Sequence, residues 1–303
     1  MKRHKICKII LAILSFFLCV AFYELIGICI TYKKQPAVSD ATIKETQNIM
    51  SVAGRENTER AVIIEKNSQA LLERVRLIQN AKDEIILSTF AFKLDESGKL
   101  ILGALHDAAD RGVHVRILVD GMESWIDMEG NPYFYGLSSH ENVEIKLYNK
   151  ANPLKPWKTM GRMHDKYLIA DGKIYILGGR NTYNYFLGDF PGHKNFDRDV
   201  LVVCDEPQKD NSVNQLWDYF ETIWEQEDCR YFHNSKKLAD RQSVKKAVLE
   251  LQEGYQQYFE VNKEKICDTD YADETFETEK ITLLSNPIHT QAKDRWYGIS
   301  WEN

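Results

Sequence analysis

The sequence contains no Cys-x-x-Cys pair and no cysteine–histidine spacing of the kind that holds zinc, which excludes small metal-stapled folds. Of its six cysteines, Cys7, Cys19 and Cys29 lie in or beside an N-terminal apolar segment, and Cys204, Cys229 and Cys267 are widely spaced. One disulfide is compatible with those last three and a framework of disulfides is not; buried or inert thiols are expected. There is no excess of positive charge either. A formal net charge of −6 gives no overall attraction to nucleic acid, although it allows a local basic patch. The acidic residues Asp268, Asp270 and Asp273 lack the glycine and terminal glutamate of a calcium loop, and Asp197 with Asp199 makes a weak metal site. With 44% hydrophobic and 28% charged residues, the composition is that of a folded chain of one or two domains rather than a disordered one.

What is present begins with a membrane signal. Lys2, Arg3, Lys5 and Lys8 precede residues 9–30, which are apolar except for Ser15, Tyr23 and Glu24 and are long enough to cross a bilayer. The basic front end predicts a cytoplasmic N-terminus and an extracytoplasmic remainder, and Lys33 and Lys34 weaken this without reversing it. A cleaved signal peptide is the rival reading. Ala37-Val38-Ser39 lies far beyond the apolar run, so an uncleaved anchor is expected. Glu24, near the outer end, can reach the interface. The division expected is an anchor at 1–34, a polar linker at 35–60, a folded lobe at 61–235, and at 236–303 a helix, an acidic linker and the start of an incomplete second lobe.

Within the lobe, Ser68 is placed to cap a helix with Leu71, Leu72, Val75 and Ile78 at helical spacing. Residues 84–92 form an apolar run of strand length, 100–110 a helix closed by Gly112, and 113–119 a second strand. This order predicts an α/β lobe with a mixed, largely parallel sheet and helices on both faces, preceded by one transmembrane helix. A loop with Trp125, Tyr133, Phe134 and Tyr135 could cover a substrate, touch a membrane or pack on the core. Residues 143–148 are a third strand, 200–204 another, 213–225 an amphipathic helix, 243–259 a further helix, 268–279 an acidic exposed arm, and 280–284 a short strand.

The most informative stretch is 162–181, RMHDKYLIADGKIYILGGRN. Two apolar runs flank Asp171-Gly172, a dipeptide that favours a two-residue type I′ hairpin. Such a turn would pair Ala170 with Lys173, Lys166 with Leu177, His164 with Gly179 and Arg162 with Asn181. His164, Lys166 and Asn181 would then share one face. An imidazole can attack phosphorus, and an ammonium and a carboxamide can hold phosphoryl oxygens. Gly178 and Gly179 would let a substrate approach the backbone.

His-x-Lys, four residues, Asp, six residues, Gly-Gly-x-Asn resembles the signature of the phospholipase D superfamily. GGRNTYNYF and FDRDVLV resemble its bacterial cardiolipin-synthase-like branch. The resemblance implies a phospholipase D-like lobe with His164 as nucleophile or its acid partner and Lys166 and Asn181 on phosphate oxygens. Asp171 would be a supporting carboxylate, Gly179 would lie beside the substrate, and Asp199 would support the histidine, the alternative for Asp199 being an ion pair with Arg198 at the strand start. It implies no metal and no cofactor.

The pattern breaks in one respect. Cardiolipin-synthase-like members carry two signatures, yet none of the other seven histidines here is followed by lysine two residues on. Three arrangements remain open: a truncated two-lobe protein, with SNPI at 285–288 leading into the second lobe; a homodimer that joins two His164 residues; or a scaffold inactive alone. The expected function is a phosphodiesterase or phosphatidyltransferase on phospholipid head groups, with the membrane as partner. A tethered or exported nuclease is the alternative, favoured if Lys150, Lys155, Lys158 and Arg162 form a basic groove.

Overall fold

The computed structural model describes residues 2–33, 40, 43–44, 47, 59–158 and 161–285. The SNPI segment beyond Ser285 lies outside the described residues. The N-terminal segment is one helix, α1 (Lys2–Lys33), apolar on every side. Its stretch His4–Cys29 counts 26 residues with none of the most apolar window buried. At 1.5 Å per residue that is about 39 Å, more than the ~30 Å of a hydrocarbon core.

The lobe is built on a mixed sheet of nine strands among the described residues, in the order β8-β4-β3-β2-β5-β6-β7-β1-β9. Its strands are β1 (Glu59–Ile64), β2 (Glu84–Thr89), β3 (His114–Asp120), β4 (Val143–Tyr148), β5 (Lys166–Ala170), β6 (Ile174–Gly178), β7 (Asp199–Cys204), β8 (Cys229–Tyr231) and β9 (Phe276–Glu277). Parallel pairing is confined to β2–β3 and β3–β4, where helices make the crossovers. The remaining pairs run antiparallel, so the parallel share is smaller than expected. The β5–β6 hairpin inserts beside β2 and forces the reversal.

Helices cover both faces. On one face α2 (Asn67–Asn80), α3 (Glu96–Asp110), α5 (Pro132–Ser138) and α8 (Gln242–Cys267) bury Leu71, Val75, Leu102, Leu105, Phe134 and Leu251 against the sheet's Leu87, Ile117 and Leu168. On the other, α6 (Ser212–Trp224) buries Leu216, Phe220 and Trp224 against Ile86, Ile169 and Val202. Each fully buried aliphatic or aromatic side chain contributes about 2 kcal/mol. Two short helices, α4 (Gly121–Asp127) and α7 (Lys236–Ala239), lie between these.

Several local expectations change. Ser68 does not cap α2, which starts at Asn67 after Lys66 without a side-chain cap. The helix α3 begins at Glu96, earlier than the apolar pattern indicates, because the Asp95 carboxylate accepts the Gly98 N–H at 3.1 Å. The aromatic loop divides. Phe134 and Tyr135 pack into the core, whereas Trp125 is 60% exposed. Helix α8 runs on to Cys267 and is part of this lobe, with Val244, Leu251, Tyr255 and Ile266 in its core. The acidic stretch after it is largely exposed but is docked on the lobe through buried Tyr271 and Thr275. Buried Arg76 donates to the Asp268 carbonyl at 2.6 Å and the Glu274 carboxylate at 2.8 Å and lies 4.0 Å from the Tyr271 ring centre. Phe276 and Glu277 then pair with β1, and the strand expected at 280–284 does not form. Cys204 and Cys229 are buried and Cys267 is exposed, with no disulfide among the described residues.

The hairpin differs from expectation by one residue. Asp171 (φ 52) and Gly172 (φ 62) both take the left-handed conformation a type I′ turn needs, and the Lys173 N–H donates to the Ala170 carbonyl at 3.0 Å. Lys173, however, is drawn out of the β5–β6 ladder, its carbonyl accepting the Cys204 N–H at 2.8 Å. Ala170 therefore faces Ile174 and Tyr167 faces Leu177, and the pairings of His164 with Gly179 and Arg162 with Asn181 do not form.

Candidate active site

The carboxyl ends of β2 and β3 lie at the same sheet edge as the start of β5 and the end of β6, since Thr89 pairs with Lys166 and Tyr167 with Leu177. The crevice outside the carboxyl ends of parallel strands is where open α/β sheets bind ligands. His164 sits there, two residues before β5, exposed to solvent on one side. Its imidazole packs edge-on to Phe90, the residue after β2, with ring centroids 4.7 Å apart.

The loop carrying His164 is held by buried Asp120 at the end of β3. That carboxylate accepts from the Met163 N–H at 3.1 Å and from the Arg162 guanidinium at 2.7–2.9 Å. It also accepts the Met122 and Glu123 N–H groups that open α4. Asp120 was legible in the sequence only as the end of a strand.

Lys166 is 5% exposed, and its ammonium donates to the His164 carbonyl at 2.5 Å. Burial pushes it down to about 8, although Asp165 and Asp197 act in the opposite direction. Partial desolvation, and the Lys166 charge after it, lower the His164 imidazole from its ordinary range. Both effects favour the neutral form of the imidazole, and the Lys166 side chain next to it is buried. Asp165 is the residue between them; burial raises its carboxyl, which accepts the Tyr219 hydroxyl at 2.8 Å on the other side of the sheet.

Asn181 reaches this edge by a different route from the one expected. After Gly178 the chain crosses to the extension of β2, where Phe92 and Thr182 form a parallel bridge. The Asn181 Oδ1 accepts the Ala91 N–H at 3.2 Å, which fixes the amide's orientation, and no described residue accepts from its NH2 group.

The other expected site residues are structural. Asp171 lies at the far end of β5 from His164, and its carboxylate accepts from the backbone N–H groups of Lys82, Asp83 and Glu84 at 2.8–3.2 Å. It ties the hairpin tip to the start of β2 and does not face the imidazole. Asp199 is fully buried between Arg74 (2.9 Å) and Arg180 (3.3 Å), and Arg198 pairs instead with exposed Glu65 at 3.0 Å. Gly179 leaves room for a neighbouring side chain. A Cβ there would meet the Asp197 carboxylate at 2.0 Å, and one on Gly178 would meet Asp199 at 2.0 Å.

Of the four cations that would make a nucleic-acid groove, three are engaged with carboxylates. Lys158 binds Asp228 at 2.6 Å, Arg162 binds Asp120 and Glu123, and Lys150 lies 3.9 Å from Glu129. Among the described residues no cluster of three histidine, cysteine or acidic side chains is arranged to hold a metal ion.

The family described as "Cardiolipin synthase, PLD-like domain" matches residues 75–224, the stretch that runs from α2 through the site to the end of α6. This lobe belongs to the phospholipase D superfamily. An uncharacterised protein of Helicobacter pylori (strain ATCC 700392 / 26695) is 33% identical over 181 residues, 55% of this chain and 35% of that protein. Cardiolipin synthase C of Escherichia coli (strain K12) is 29% identical over 154 residues, 46% of this chain and 31% of that protein. The chain spans about a third of the length of these curated relatives. Among solved structures, NucT from Helicobacter pylori is similar at 17% identity and a TM-score of 0.45, over 57% of this chain and 99% of that one. The phospholipase D-like lobe therefore has its His-x-Lys pair at an open sheet edge, with Phe90, Asp120 and Arg162 as neighbours that the signature does not name.

Proposed function

We propose that the chain is a membrane-anchored phosphodiesterase or phosphatidyltransferase acting on phospholipid head groups through a phosphohistidine. The observation that carries this reading is the solvent-reaching imidazole of His164 set beside the buried Lys166, whose ammonium donates to the His164 carbonyl. A ring nitrogen of His164 attacks phosphorus, the bond from phosphorus to the leaving alcohol breaks, and the alkoxide takes a proton from an acid. Water or an alcohol, losing its proton to that same group, then attacks phosphorus and the N–P bond breaks, restoring the imidazole. Lys166 and the Asn181 NH2 hold the non-bridging oxygens as negative charge builds on them.

The acid is a second imidazole. His106 and His140 are bound to Asp110, His114 to Glu84 and Glu144, His233 to Glu129, and His193 to Asn195. His4 lies in α1 and His289 outside the described residues, and we assign the donor to His164 of a second copy across a twofold axis, or to a further lobe. The carboxylates paired with Lys158, Arg162 and Lys150, together with a net charge of −6, favour a lipid over a nucleic acid. The basic residues in the first turns of α1 put the N-terminus in the cytoplasm and the lobe outside.

The test is the full chain in vesicles of phosphatidylglycerol, assayed for glycerol release and cardiolipin formation, with single-stranded DNA as the competing substrate. Lipid turnover that disappears in His164→Ala supports the proposal. DNA cleavage lost in the same variant, with no lipid turnover, overturns it.

A further inference from the structure

Four large apolar side chains stand in solvent on the segments that leave the His164 edge. Trp125 is 60% exposed, Ile126 65%, Leu154 78% and Phe196 84%. They come from three separate places in the chain. Trp125 and Ile126 are in α4, which begins at Asp120. Leu154 follows β4, and Phe196 directly precedes Asp197, whose carboxylate packs on Gly179. Single exposed apolar residues are ordinary, and this lobe has others, such as Leu249 and Val261 on α8. Four of them around one functional edge are a surface that water solvates poorly.

The same edge meets α1. The Tyr23 hydroxyl donates to the Leu154 carbonyl at 3.0 Å, and Gly27 lies so near Pro156 that a Cβ would come within 2.6 Å of the proline ring. A span that starts after Lys8 and needs about 20 residues to cross the hydrocarbon ends near Ile28. Tyr23 and Gly27 then occupy its last two turns, where acyl chains give way to head groups. A loop in contact with those two residues is itself at the lipid surface. Lys155, exposed directly beside Leu154, matches anionic head groups. Tryptophan beside aliphatic and basic residues is the composition that membrane interfaces favour.

We propose that Trp125, Ile126, Leu154 and Phe196 form a rim that inserts into the head-group layer of the bilayer that α1 spans, laying the His164 edge on an anionic phospholipid surface. A lipid phosphodiester then reaches the imidazole without leaving the membrane. The inference rests on the lipid reading above and adds the orientation in which that substrate is met.

The experiment uses the full chain in nanodiscs of phosphatidylglycerol and phosphatidylethanolamine with ordinary or brominated acyl chains. Bromine should quench the part of the tryptophan emission that is absent in Trp125→Phe, and the double variant Leu154→Asp/Phe196→Asp should relieve that quenching. The four positions are exposed, so the aspartates leave the fold intact. The double variant should also turn over bilayer phosphatidylglycerol up to about 100-fold more slowly, the order that displaced geometry costs. Its hydrolysis of bis(4-nitrophenyl) phosphate in water should be unchanged. Trp125 emission indifferent to bromine, or equal slowing on both substrates, overturns the rim. Because quenching requires no catalysis, quenched Trp125 in a chain with no lipid turnover keeps the rim and overturns the enzymatic reading instead.

Discussion

The imidazole of His164 meets the Phe90 ring edge-on at a centroid distance of 4.7 Å, and the same ring lies 4.9 Å from the Arg162 guanidinium and 5.4 Å from the Lys166 ammonium. One aromatic side chain at the end of β2 thus supports all three basic groups of the edge. It holds the imidazole in place and keeps water from one of its sides. Phe90→Leu is expected to fold normally and to lower kcat about tenfold through loss of orientation. Since desolvation is the first cause of the lowered imidazole pKa, the acidic limb of the pH–rate profile should move upward in this variant. A merely structural role would leave that limb where it was.

The wild-type pH profile follows from two groups. Attack needs a neutral imidazole, so the rate rises as pH passes through the His164 pKa, which is lowered from 6.5. Holding the phosphoryl oxygens needs a charged Lys166, so the rate falls as pH passes about 8. A bell with its alkaline limb near 8 is expected for kcat/KM on bis(4-nitrophenyl) phosphate, whose 4-nitrophenolate leaves without a proton from the acid imidazole. An alkaline limb above 10 would show that Lys166 is not the group being titrated.

Lys166→Met separates function from stability. Loss of the ammonium should reduce turnover by about 100-fold or more. Burying that ammonium lowers its folded pKa to about 8 from 10.5, so the unfolded chain binds the proton more tightly. The resulting destabilisation is fully present below pH 8 and disappears as pH rises toward 10.5. The methionine variant should therefore be the more stable protein at pH 7, with an advantage that shrinks over that window. Thermal unfolding in detergent at pH 7 and pH 10 measures both.

Asp199 and Asp171 should behave as parts of the scaffold. Asp199→Asn leaves Arg74 and Arg180 buried without their counter-charge, a change that costs about 3–5 kcal/mol. Asp171→Ala releases three backbone N–H groups at the start of β2 and should cost about 1–3 kcal/mol. In both variants the activity per folded molecule, counted by active-site titration, is expected to match the parent. His164→Ala should show the opposite pattern, with full stability and no turnover.

The amino-acid order by itself determined the apolar N-terminal run, the existence of a helix-covered sheet, and the His-x-Lys pair at the mouth of a hairpin. These depend on local composition and periodicity, which the chain carries whatever it packs against. Tertiary structure decided the rest. Lys173 leaves the ladder because Cys204, on a strand 31 positions later, draws on its carbonyl, and that single extra residue shifts the pairing between β5 and β6. Asn181 reaches the site edge through Ala91, just beyond β2, and Asp199 is claimed by Arg74 and Arg180, partners whose distance along the chain hides them from any local pattern. Whether a carboxylate serves a histidine or a scaffold depends on which groups the folded chain brings within 3 Å of it, and spacing along the sequence does not carry that information.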